Sequence, residues 1–177
     1  TQDTTAPTEP EPEDDWFTAV VAAAVETEAY VLKNKDMPTS FTILGQTYTR
    51  AQFFYITSSA VVAINEGTTA VKPEIPTLNE PQNPQETVSP GSVELTEIID
   101  LAERAVKFCV NNGQAPNYMN SSLGGIHYLE SIYFYCKNLQ FYSENGRLPN
   151  TCGVSLWSIT TGTYVEGKAT FGYDYSA

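Results

Sequence analysis

The sequence predicts a mainly α protein: two helix-hairpin repeat units joined by a Pro-rich spacer, with a short C-terminal β segment. Three observations predict it. Apolar residues recur at three-to-four-residue spacing in four separate runs. The eleven prolines fall into groups that punctuate those runs. One bend, Asn followed four residues later by Pro, comes back at Asn34 to Pro38, Asn112 to Pro116 and Asn145 to Pro149.

Residues 1–15 carry Pro7, Pro10 and Pro12 among acidic side chains with no basic one, so this acidic tail is expected to be extended by itself. Asp14 or Asp15 is placed to cap a first helix over Trp16 to Asn34, whose stripe is Phe17, Val20, Val21, Ala24, Val31 and Leu32. Thr49 and Gln52 stand at capping-box spacing before a partner helix carrying Phe53, Phe54, Ile56, Ala60, Val61 and Ile64, which Gly67 stops. These two helices make the first unit, residues 16–67. Pro73, Pro76, Pro81, Pro84 and Pro90 stiffen residues 68–91 into a linker that separates the units.

The second unit, residues 92–152, repeats the scheme. Ser92 is the expected cap of a helix over Val93 to Asn111, with Leu95, Ile98, Ala102, Ala105, Val106 and Cys109 on one face and Gly113 ending it. Tyr128 to Ser143 follows with Leu129, Ile132, Cys136 and Leu139, and a third copy of the bend then starts at Asn145 and Gly146. From residue 153 to 177 the period changes: Val154 to Thr160 alternates, and Thr, Tyr and Phe dominate up to Tyr175. That pattern predicts a β-hairpin-like segment whose edge is open to pairing with another chain.

The bend has a physical logic. Asn or Gly takes the left-handed conformation that closes a helix, an apolar residue packs back, and proline prevents re-entry. Residues Asn145-Gly146-Arg147-Leu148-Pro149-Asn150, Asn112-Gly113-Gln114-Ala115-Pro116-Asn117-Tyr118, and the fuller copy Pro38 to Tyr55 with Phe41, Ile43, Gly45 and Tyr48 resemble the pseudomurein-binding repeat of methanogen wall proteins. The resemblance covers residues 16–67 and 93–152. It implies an archaeal, extracellular surface protein whose partner is the cell-wall polymer pseudomurein.

Composition sets outer bounds. The 177 residues are 41% apolar, enough for a core, and 21 acidic against 9 basic side chains give a charge of −12, which repels nucleic acid. The longest strongly apolar stretch, Ala19 to Val25, is too short to cross a bilayer, so no membrane insertion is expected. The Thr-rich acidic start looks like the end left when a signal peptide is removed, in keeping with a secreted chain.

Catalysis finds little support in the residues. His127 is the only histidine; Cys109 and Cys136 fall on apolar stripes, and Cys152, the most exposed thiol by this reading, has nothing nearby to activate it. The same three cysteines leave room for one disulfide, with pairing undecided. No metal-ligand spacing and no cofactor motif is present. A saccharide ligand instead needs aromatic faces beside Asn or Tyr donors. Exposed turn residues supply the candidates Asn117, Tyr118 and Asn150, joined by Tyr128 and Tyr135 from the tyrosine-rich second unit. Asn120 heads a glycosylation sequon, Asn120-Ser121-Ser122. A rival reading is a self-assembling filament or adhesin subunit, with the tail and the terminal strands contacting other copies of the chain.

Overall fold

The computed structural model describes residues 14–154, with side chains from Trp16 onward. Residues 1–13 of the acidic tail and residues 155–177, including most of the expected C-terminal β segment, lie outside the described residues; Asp14 and Asp15, expected in the tail as caps, are instead the first residues of the first helix. In chain order the elements are α1 (Asp14–Asn34), β1 (Ser40–Ile43), β2 (Gln46–Thr49), α2 (Arg50–Glu66), β3 (Gly91–Glu94), α3 (Leu95–Asn112), β4 (Tyr118–Ser121), β5 (Gly124–His127), α4 (Tyr128–Asn145) and β6 (Thr151–Val154). The described chain is therefore mainly helical with small antiparallel strand pairs.

Helix α2 starts and stops for local reasons, whereas α3 takes its first partner from a distant segment. The Thr49 hydroxyl accepts the Gln52 N–H at 3.1 Å and the Gln52 side chain accepts the Thr49 N–H at 3.1 Å, a complete capping box. Gly67 closes α2 in the left-handed region at φ 72°. Ser92 does not cap α3. It lies with Val93 in β3, Glu94 is the N-cap residue, and the Leu95 N–H is satisfied at 2.8 Å by the Asn150 carbonyl. Strand pairing claimed Val93, because its alternation with Gly91 to Glu94 buries it on the core face.

The three Asn bends follow one backbone path. Asn34, Asn112 and Asn145 each donate their side-chain amide to the carbonyl four residues earlier, Tyr30, Phe108 and Phe141, at 2.8 to 2.9 Å. The next residues, Lys35, Gly113 and Gly146, are left-handed at φ 55°, 61° and 69° and donate their N–H to Val31, Cys109 and Tyr142. It is thus the residue after Asn that turns left-handed, and Lys35 accepts the steric cost that Gly avoids elsewhere. Met37, Ala115 and Leu148 then pack into the core.

After each bend comes a strand. Between α1 and α2, and again between α3 and α4, the chain forms a tight β-hairpin, so the connections inside the units are hairpins rather than plain turns. Ser40 pairs with Thr49 and Phe41 with Tyr48; Tyr118 pairs with His127 and Met119 with Ile126. The third pairing joins distant segments: Thr151 pairs with Glu94 and Cys152 with Val93. In all three the second pair is the buried one, so one face of each hairpin feeds the core.

Residues 68–91 correct the expectation of a separating spacer. Leu78 and Val88 are buried. Asn79 exchanges 3.0 Å backbone bonds with Gly113 and Ala115, Thr87 donates to Gly125 at 2.9 Å, and Ser89 donates to Leu123 at 2.7 Å. Tyr128 hydrogen-bonds Glu80, and Gln52 of α2 donates to the Pro76 carbonyl at 3.2 Å. The proline-rich segment is a strap: extended backbone satisfies its donors on a neighbour because proline keeps it from satisfying them internally. The helices interlock, with α1 packed along α4 and α2 against both α3 and α4, around one core that draws on all four of them.

Candidate functional site

An open concavity of about 530 Å³ lies between the C-terminal half of α3 and the strand β4. Helical spacing brings Arg104, Lys107, Phe108 and Asn111 to one wall, and the bend Asn112 to Pro116 sets β4 as the other, presenting Asn117, Tyr118 and Asn120. Phe108 and Tyr118 are large apolar side chains left exposed, at 38% and 46%. Arg104 is steadied from both sides: its Nε donates to Asp100 at 2.9 Å and its Nη2 to the Asn120 carbonyl at 2.8 Å. Two cations, two aromatic faces and several amides therefore line a rigid groove, the set of groups that recognises a polar ring with an apolar face.

The structure divides the expected ligand residues. Tyr118 and Asn117 lie in this groove, although Asn117 also accepts the Asn83 N–H at 2.9 Å and so helps hold the strap. Asn150 is exposed after the third bend and belongs to no wall of this groove. Tyr128 and Tyr135 are corrected: they are 3% and 1% exposed, and Tyr135 donates to the Leu101 carbonyl at 3.0 Å. Burial pushes both phenols up, with Glu80 adding to the effect at Tyr128. They are core residues whose hydroxyls found partners. Asn120 is exposed but stands on β4 rather than in a loop, so a glycan there would enter the groove.

Sequence reasoning missed Arg104, Lys107, Phe108 and Asn111. Their spacing of three, four and seven was the available signal, since it puts two of the chain's nine basic residues beside an aromatic on one helix face.

The cysteines are free and buried, so the candidate disulfide among Cys109, Cys136 and Cys152 is not formed. Cys152 is fully buried on β6 instead of being the most exposed thiol. Burial pushes Cys109 up to about 12 and raises Cys136 and Cys152 as well, which keeps all three protonated. His127 is a buried helix cap: its Nδ1 accepts the Leu129 N–H at 3.1 Å. Burial pushes its imidazole down to about 4. Among the described residues no group of three or more His, Cys, Asp and Glu could hold a metal, and no described helix is long and apolar enough to cross a membrane.

The cap makes His127 a stability sensor. Its folded pKa lies below its unfolded value near 6.5, so the stabilisation is whole above that pH and is lost as pH falls from about 6.5 through about 4. The loss is expected to be about 2 kcal/mol. Thermal melting of the native chain and of His127→Asn, which retains a capping acceptor without titrating, should converge in slope above pH 7 and part between pH 6.5 and 4. Parallel curves throughout that window would contradict the assignment.

No protein-family model matches this chain, and neither a curated protein nor a solved structure matches it.

Proposed function

We propose that the chain is a non-catalytic, extracellular surface module that holds a cell-wall polymer in the α3–β4 groove. The single observation behind this reading is the meeting of Tyr118 and Asn117 with Phe108, Asn111 and Asn120 around one open groove. Exposed rings on a stiff frame cover sugar faces at low entropic cost, and the flanking amides orient the hydroxyl and acetamido groups. The resemblance of the three bends to the pseudomurein-binding repeat names pseudomurein as the polymer.

We read residues 34–55, 112–133 and 145–154 as copies of one repeat on the same grounds: a shared Asn side-chain bond, a left-handed residue, a buried apolar residue and a proline before the strand. In this reading the third copy is incomplete in the chain order and β3 supplies its second strand. The filament alternative draws on the tail and the terminal strands, which lie outside the described residues.

Co-sedimentation with purified pseudomurein sacculi tests the function. The native chain should pellet with the sacculi, and Tyr118→Ala should weaken binding about tenfold, a loss in the range of a central aromatic contact. Tyr118 is exposed, so the substitution leaves the core intact. Binding no greater than that of an unrelated acidic protein would remove the proposal.

A further inference from the structure

The α3–β4 groove has a counterpart in the first unit. The groove of about 180 Å³ between α1 and β1 is lined by Glu26, Tyr30, Pro38, Ser40 and Thr42 among others. These residues stand where Arg104, Phe108, Pro116, Tyr118 and Asn120 stand in the α3–β4 groove, at a constant offset set by Asn34 and Asn112. One helix position thus carries a carboxylate in the first groove and a guanidinium in the second. The second also gains Lys107, opposite Ala29 by the same offset. In a chain of charge −12, a groove with two cations in its lining, Arg104 paired with Asp100 at 2.9 Å and Lys107 exposed, is set apart from the surface around it.

The third bend places a basic residue at this position inside the fold. Counting from Asn145, the matching residue of α4 is Lys137, which is 1% exposed. The Tyr133 ring lies 5.7 Å from its Nζ.

We propose that the α3–β4 groove takes a carboxylate-bearing saccharide, the carboxylate lying against Arg104 and Lys107 and the sugar face against Tyr118 and Phe108. The α1–β1 groove, with Glu26 at the same position, refuses that group. Arg104 is pre-oriented by Asp100 and the Asn120 carbonyl, and Lys107 is exposed at the groove's wall, so one cation is fixed and the other adapts. This inference rests on the groove being the polymer site, and the test separates the two.

The full chain is titrated against immobilised wall polymer, native and with its carboxyl groups converted to neutral amides, and against soluble trigalacturonate and its methyl ester. The expected result is binding to native polymer that falls at least tenfold on amidation and at least tenfold in Lys107→Glu. Lys107→Glu is the decisive variant because Lys107 is exposed, whereas Arg104→Glu also breaks the contact with Asn120. Glu26→Arg should add carboxylate-dependent binding at the first groove, read as new shifts of the Ser40 and Thr42 amide resonances. Equal binding of native and amidated polymer overturns this inference and leaves the wall reading standing. No binding to native polymer overturns the wall reading. The inference is then decided by trigalacturonate alone: ester-sensitive shifts at Tyr118 and Asn120 support it, and their absence overturns it.

Discussion

Substituting alanine for Gly124 is expected to destabilise the chain by about 3 kcal/mol or more, enough to shift its urea midpoint far below that of the native protein. Gly124 opens β5 at φ 111°, a conformation L side chains rarely adopt, and a Cβ there would sit 2.5 Å from the Thr87 carbonyl oxygen and 3.1 Å from the Val88 Cα. Both obstacles are backbone, so neither can rotate away. The strap would have to retreat, which breaks the bonds of Thr87 to Gly125 and of Ser89 to Leu123 and uncovers Val88. Gly45→Ala is the matched control, since Gly45 is also left-handed at φ 78° but has nothing within 4 Å of the added carbon. It should cost only about 1 kcal/mol, the ordinary left-handed penalty. Equal losses in the two variants would mean that the strap does not hold the second hairpin.

The second large effect has the opposite sign. Lys137→Met is expected to stabilise the chain at pH 7 by about 2 kcal/mol, because an apolar side chain of similar length removes the cost of taking an amine out of water. Burial pushes the Lys137 amine down to about 6, against the opposing pull of Cys152 and Glu28. The folded chain therefore binds fewer protons than the unfolded one between about pH 6 and the ordinary lysine value near 10.4, and native stability should rise with pH across that window. Below about pH 6 the amine is protonated in both states and the full penalty remains. Glu28, whose carboxyl burial already raises, loses a favourable neighbour in the variant, which tempers the gain. Denaturant unfolding at stepped pH should show the native slope absent in Lys137→Met. Curves that run parallel from pH 6 to 10 would show that the amine does not titrate in the fold.

Periodicity located the four helices to within two residues at most ends, because each stripe is long and each stop carries a recognisable chemistry, such as Gly67, Gly113 and the Asn bends. The hairpins were harder to see. Four-residue strands offer only two positions per face, although Phe41 and Ile43 before the exposed Leu44-Gly45 turn do alternate, and Leu44 and Gly45 both take the positive φ that a tight hairpin needs. The strap was misread because a free linker and an extended segment bonded to a neighbour share one composition; only the buried Leu78 and Val88 distinguish them. Tyrosine presented the same difficulty. Tyr118 and Tyr135 are chemically alike, and their separation into groove and core depends on which element packs over them, a tertiary fact with no local signature. Cys152 was placed at the surface because a Pro-Asn turn precedes it, while the pairing with Val93 across the sequence buries it.

The same logic explains how the groove arises. A bend that stops a helix and immediately launches a strand leaves the last helical turns facing that strand with a wedge of space between them. Core residues on the bend before β4, Ala115 and Pro116, fix the wedge, and the outward residues of α3 and β4 are free to vary in charge.

The most direct measurement is a resonance-by-resonance titration of the isotopically labelled full chain with soluble fragments of pseudomurein. The account predicts perturbations that cluster on residues 104–120, saturate together and vanish in Tyr118→Ala. Perturbations centred on another face, or none at any concentration of fragment, would contradict it.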